Sequence, residues 1–360
     1  MTEPLDYFSP DYAAARERFR ATTRVIGATS HTLELAARGP SGEPLTIDIA
    51  WLGDAGARRV LLHSSGLHGV EAFAGSAIQL ALLAHPPATA AGCALVLVHT
   101  LNPYGMAWMR RANEHNVDLN RNFLIGGETW SGAPEIYHRI DRLLNPASPP
   151  GFDFFSVRAL LQLMRYRLHR LQQAVAEGQY EFERGLFFGG KRLEPGPRMF
   201  LDWTAKNLAQ AEYVFAVDVH TGLGLKGEEM LLPEPGIGAT PIPRLAEGLE
   251  RELIDVTQTR GAAYVIRGGM GSALPRVLPG VAVDFVLQEI GTYSPLAVFR
   301  ALREENRWHH YGDRGLDHPV KRRLREVLCP ASPRWREQAV ARGLALAERS
   351  ASWAFSDRGE

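Results

Sequence analysis

Residues 59–100 read RVLLHSSGLHGVEAFAGSAIQLALLAHPPATAAGCALVLVHT. The stretch opens on a short apolar run, 59–64, and closes on another, ALVLVHT at 94–100. Between them, 71–84 is apolar, rich in alanine and free of proline, as a buried helix requires. Strand, helix, strand in that order is a parallel crossover unit. It predicts an α/β fold with a central, mostly parallel, twisted mixed sheet flanked by helices.

Working outward, 31–37 and 44–52 alternate apolar and polar residues around Gly39-Pro-Ser-Gly42, which predicts a hairpin. Ser9-Pro10 opens a polar helix over 9–21. Downstream, 126–153 is rich in Gly and Pro and reads as irregular. An amphipathic helix is expected over 154–178, with Val157, Leu160, Leu161, Met164, Leu168, Leu171 and Val175 in the 3.6-residue period. A loop is expected at 185–195 and buried strands at 213–219 and 281–288. Helices are expected at 244–257, 295–310, 318–328 and 334–354. No internal repeat interrupts this order. The expectation is one catalytic domain over 1–360: a core at about 28–315, a helical insertion at about 126–210 and C-terminal helices at 316–360.

Composition narrows the function. The 40 basic residues balance 40 acidic ones and no Lys/Arg run stands out, so nucleic acid is not an expected partner. The N-terminal residues lack a basic and an apolar region, so no signal peptide is expected. No apolar run approaches the ~20 residues of a membrane span. Cys93 and Cys329 have no ligand or redox spacing, and Cys93 is expected to be a buried thiol. The expected setting is cytoplasmic, without a membrane partner; oligomeric state is left open.

Three apolar runs end alike. The first is followed by Gly66-Leu-His68-Gly69-Val-Glu71, the second by His220-Thr-Gly-Leu-Gly224, the third by Glu289-Ile-Gly-Thr-Tyr293. Ligands of open α/β sheets bind beyond the carboxyl ends of the strands. Each strand therefore delivers a metal-competent or acid/base side chain to that rim. His68 and Glu71, three apart in a first helical turn, project to one side. With His220 they make two imidazoles and a carboxylate, the donor set of a catalytic zinc with an open fourth position. Each residue alone has a plainer reading, a satisfied core histidine or a structurally paired carboxylate. Only their coincidence at three strand ends carries the argument. His63-Ser64-Ser65-Gly66 lacks the Gly-x-Ser-x-Gly elbow of a serine hydrolase.

The segment 102–123, NPYGMAWMRRANEHNVDLNRNF, extends the pattern. It contains Asn102-Pro-Tyr-Gly105, the pair Arg110-Arg111 and Asp118-Leu-Asn120-Arg121-Asn122-Phe123. With His68-x-x-Glu71 before it and His220 and Glu289 after it, the chain resembles the carboxypeptidase A-like zinc hydrolases over about residues 50–310. It is similar to a bacterial branch of that superfamily described as a domain of unknown function, and shares features with the succinylglutamate desuccinylase and aspartoacylase relatives. The resemblance implies one Zn2+ on His68, Glu71 and His220. It implies Glu289 as the catalytic acid/base, and Arg111, the favoured member of the pair, as the oxyanion partner. Asn120 and Arg121 would hold a substrate carboxylate, and Asp118 would orient His68. Asp218, two before His220, is either another outer acceptor or a solvated residue. Tyr104 stands where the superfamily usually has Asp. The mobile tyrosine that covers substrate has no clear counterpart, Tyr293 being a candidate. His115 and His309-His310 are expected to stand apart from the metal. The implied activity is hydrolysis of an amide or peptide bond next to a free carboxylate. The substrate would be a peptide, as for a metallocarboxypeptidase, or an N-acyl amino acid, as for a small-molecule amidohydrolase. A catalytically silent binding module is the third possibility.

Overall fold

A computed structural model of the chain describes residues 3–234, 239–255 and 265–356. Seven strands form one sheet: β1 (Thr29–Arg38), β2 (Pro44–Gly53), β3 (Arg59–Ser65), β4 (Cys93–His99), β5 (Tyr213–Thr221), β6 (Glu229–Pro233) and β7 (Ala282–Ile290). Their order is β1-β2-β4-β3-β5-β7-β6. The four central strands β4, β3, β5 and β7 run parallel. Antiparallel strands close both sides, the β1–β2 hairpin on β4 and β6 on β7. The sheet is thus mixed and mostly parallel at its centre, as expected. β4 and β5 are buried at every position, because a central parallel strand is covered on both faces.

The covering layers separate by strand alternation. Leu61 of β3 packs into the cluster built with α2 (Ala72–Ala84), and its neighbours Val60 and Leu62 pack into the opposite cluster. Helix α2 is buried from Ala72 through Leu83 and carries apolar residues all round, the mark of a helix enclosed on every side. The remaining helices, in chain order with α1 (Tyr12–Val25), are α3 (Pro103–Ala107), α4 (Glu135–Leu144), α5 (Phe155–Arg165), α6 (Leu168–Ala176), α7 (Pro195–Leu208), α8 (Ile242–Leu249), α9 (Met270–Val277), α10 (Pro295–Tyr311), α11 (Pro319–Leu328) and α12 (Pro333–Phe355). None of the described helices is long and apolar enough to cross a membrane.

Several elements depart from the sequence reading. Helix α1 starts at Tyr12, where Asp11 accepts the Ala14 N–H at 2.8 Å as N-cap. The irregular region 126–153 contains α4. The single helix expected at 154–178 is two, because Tyr166 and Arg167 are extended. Its apolar stripe does not face a packed core either. Val157, Leu160, Leu161, Met164 and Leu168 are exposed, and Leu171 is the member that is buried. Helix α8 spans only 242–249, ending where Glu250 takes a left-handed conformation; the last two positions of the expected 244–257 helix lie outside the described residues. Edge strand β6 had not been expected.

Candidate metal centre and catalytic site

The strand ends set the site. β3 stops at Ser65, and the chain then turns through a one-turn 3₁₀ helix, Gly69–Glu71. At three residues per turn, His68 and Glu71 project in the same direction. On β5 and β7, His220 and Glu289 are register partners across the parallel ladder. Both lie inside their strands, which run to Thr221 and Ile290.

Close backbone approach holds the next layer in place. A Cβ on Gly69 would lie 2.1 Å from the carbonyl carbon of Gly105, so the Asn102–Gly105 turn can seat against the 3₁₀ turn only with glycine there. Asn102 Oδ1 accepts the Gly105 N–H at 2.8 Å, and its amide donates to Arg111 O at 3.1 Å. The Val70 N–H donates to Arg110 O at 2.8 Å. These bonds carry the Arg110-Arg111 pair up to the His68 turn and split its two members. Arg110 is buried away from the site, with its Nε on Glu305 at 3.1 Å and Nη2 on Asn116 at 2.8 Å. Arg111 faces the site, with its Nε on Asp118 at 3.0 Å and Nη1 on Glu71 at 3.2 Å.

The donor atoms converge. His68 Nδ1 lies 3.0 Å from His220 Nδ1 and 3.0 Å from Glu71 Oε1, and His220 Nδ1 lies 3.2 Å from Glu71 Oε2. Each imidazole turns its other nitrogen to a buried aspartate: His68 Nε2 to Asp118 at 3.2 Å, His220 Nε2 to Asp218 at 2.6 Å. Those carboxylates accept the Nε2 protons, which leaves both Nδ1 lone pairs and the Glu71 oxygens aimed at one point. Such an arrangement is repulsive unless a proton or a metal cation sits there. Two ligands ~2.1 Å from one ion at a tetrahedral angle stand ~3.4 Å apart, close to the spacings found. The donors therefore fit one Zn2+. No other group of three metal-competent side chains lies so close among the described residues. Arg111 Nη2 also lies 2.6 Å from His68 Nε2. A guanidinium only donates, so that contact and a proton on Nε2 exclude each other. With an ion on Nδ1 the proton sits on Nε2, and the Asp118 bond is the one retained.

Charge follows geometry. Without an ion, burial alone would raise the Glu71 carboxyl, and positive charge on the neighbouring His68 and His220 imidazoles holds it below the ordinary range. Burial likewise opposes the ionised form of Asp118, and Arg111 and His68 override it. Glu289 goes the other way: burial, with the Glu71 charge adding, pushes it up to about 7. Its Oε1 accepts the Leu223 N–H at 2.7 Å. A carboxyl near neutrality beside the metal donors is poised to accept and release protons.

His68, Glu71, His220, Arg111 and Glu289 open onto one cavity of about 600 Å³, which Asn120 and Arg121 also line. The Arg121 guanidinium is buried, with Nε on Ala176 O at 2.8 Å and Nη1 on Asn120 O at 2.7 Å. Two groups were undervalued or missed in the sequence. Asp218 is fully buried and, through Oδ1, accepts the Ser64 hydroxyl at 2.6 Å; its i, i+2 spacing to His220 on a strand was the available signal. Glu234, following β6, also lines the cavity, and burial raises it to about 6; no spacing pointed to it. Tyr293 does not line the cavity: its hydroxyl donates to Glu326 at 2.6 Å. His115 pairs with Glu194 at 2.5 Å, apart from the metal donors as expected.

Two histidines and a glutamate converging at the strand ends, with a near-neutral glutamate beside them, define a zinc metallohydrolase site. The chain belongs to the family described as protein of unknown function DUF2817, whose model matches residues 8–342. Among curated proteins no sequence matches. Similar solved structures include carboxypeptidase A from Helicoverpa armigera, 14% identical, covering 95% of this chain and 73% of that one with a TM-score of 0.49. The murein-tripeptide amidase of Escherichia coli O157 is 18% identical over 78% of this chain and 92% of that one, TM-score 0.37. A succinylglutamate desuccinylase from Silicibacter sp. TM1040 is 13% identical over 79% and 67%, TM-score 0.35.

Proposed function

We propose that the protein hydrolyses an amide bond adjacent to a free carboxylate, in the manner of a metallocarboxypeptidase or an amidohydrolase of N-acyl amino acids. One observation carries the reading: the Nδ1 atoms of His68 and His220 and the Glu71 carboxylate converge on one point, and Glu289 opens on the same cavity. A zinc ion held by His68, Glu71 and His220 would supply Lewis acidity to the scissile carbonyl and lower the pKa of a water molecule. Glu289 takes one proton from the attacking water and passes it to the leaving nitrogen as the C–N bond breaks, giving a carboxylic acid and an amine. Arg111 faces the oxygen that gains negative charge. Asn120 and Arg121 hold the substrate carboxylate, and Asp118 and Asp218 hold the imidazoles in the tautomer that leaves Nδ1 free. The cytoplasmic setting read from the sequence is kept as part of the proposal.

In the zinc-loaded protein, Glu289→Gln is expected to lower kcat by about 10²–10⁴-fold without loss of metal. An unchanged rate would sink the mechanism. Mass spectrometry of short peptides and N-acyl amino acids incubated with the protein separates the two substrate classes.

A further inference from the structure

The cavity is divided by chemistry. Its polar lining includes the metal donors, Arg111, Asn120, Arg121, Glu234 and Glu289. An apolar wall is built by α4, α5, α6 and α10, which present Ile140, Leu143, Leu144, Phe155, Leu171 and Phe299. Among the described residues, Gln162 and Gln172 are the polar side chains these four helices contribute. We infer that the substrate is an amphiphile, a carboxylate-bearing amino acid N-acylated by a long aliphatic chain, with the chain lying along this helical wall. The inference rests on the hydrolase reading above and names its substrate class.

Three observations support it. The first is size. At roughly 30 Å³ per water, about 600 Å³ holds roughly twenty water-sized groups, more than a single amino-acid side chain fills. The second is polarity. A peptide extending past the scissile bond brings an N–H and a C=O per residue, and each loses free energy if buried without a partner. The wall consists of helices whose backbone groups are already paired internally, so it has few partners to give. A methylene chain needs none. The third is placement. Helix α6 packs directly on the carboxylate clamp, since Ala176 O accepts from Arg121, and Leu171, Val175 and Ala176 of the same helix line the cavity. Polar head site and apolar wall are therefore continuous.

The test is a series of N-acyl derivatives of one amino acid, from acetyl to dodecanoyl, with the zinc-loaded full chain. Apolar dipeptides and tripeptides run alongside. Each added methylene is expected to raise kcat/KM by about fourfold until the cavity is full. Ala159→Trp, at a half-buried position lining the cavity, is expected to move that plateau to shorter chains. A kcat/KM that is flat or falls with chain length, while the acetyl compound is still cleaved, overturns this inference and leaves the hydrolase reading standing. Apolar peptides outrunning the whole acyl series overturn it too. No cleavage of any amide in the set would overturn the hydrolase reading itself. The chain-length series on the unaltered protein decides the matter even if the tryptophan variant does not fold.

Discussion

At the scale of single residues, the site works by orientation. An imidazole binds a metal through one nitrogen only if its proton is kept on the other. Asp218 does this for His220 at 2.6 Å and is itself fixed by the Ser64 hydroxyl from the neighbouring strand. Asp218→Asn keeps the shape and removes the charge. Its expected effect is a 10- to 100-fold loss of zinc affinity, read by competition with a chelator of known affinity. Unchanged affinity would mean that the aspartate is only a packing partner. The same scale shows the limit of reading roles from sequence. Arg110 and Arg111 are adjacent and chemically identical, yet one lies under α10 on Glu305 and the other faces the metal donors. The sequence reading favoured Arg111 through resemblance alone. The difference lies in the turn that presents them, which only the packing of Gly69 on Gly105 reveals.

At the scale of elements, the decisive fit is between two turns, His68–Glu71 and Asn102–Gly105. Gly69→Ala would place a methyl group 2.1 Å from backbone carbon of the facing turn. The expected cost is about 1–3 kcal/mol in chemical denaturation, with activity falling further because Arg111 is displaced. Wild-type stability with full activity would show that the turns yield more easily than their contact implies. The central strands were legible because buried parallel strands are continuous apolar runs, and the crossover at 59–100 announced their direction. The ligands were legible because they stand at or just past the strand ends. The helical layer over the cavity was not. The stripe in 154–178 has helical periodicity, which normally signals packing against a core. Here Val157, Leu160, Leu161 and Met164 face solvent and the cavity takes a different face of α5. Periodicity reports a helix; it does not report what lies opposite each face. Helix α4 was hidden in the same way by the prolines and glycines around it.

For the whole molecule, buried histidines that are not metal donors tie stability to pH. His63 and His99 are fully enclosed, and burial lowers both from 6.5 to about 4. His99 stacks on Phe19 and its Nε2 pairs with Ser76 at 2.9 Å; His63 Nε2 has no partner. As pH falls below about 6.5 the unfolded chain takes up protons on these rings and the folded chain does not. Their contribution is complete above that value and is lost progressively down to about pH 4. It is at most on the order of 3 kcal/mol for each ring. Thermal unfolding between pH 7.5 and 4.5 is expected to show a falling Tm, with the slope reduced in His99→Gln. A Tm indifferent to pH across this window would contradict the assignment.

The three metal donors are set by neighbouring strands of one sheet and by a turn locked against its neighbour. Their spacing belongs to the scaffold and does not adapt to its guest. Magnesium and calcium need six or more ligands, mostly oxygen, and calcium wants a wider cage. Two nitrogens and one carboxylate supply few of the oxygen ligands those ions prefer. The donor set thus disfavours the abundant hard cations, and the competitors left are the borderline ions that accept imidazole at the same short distance.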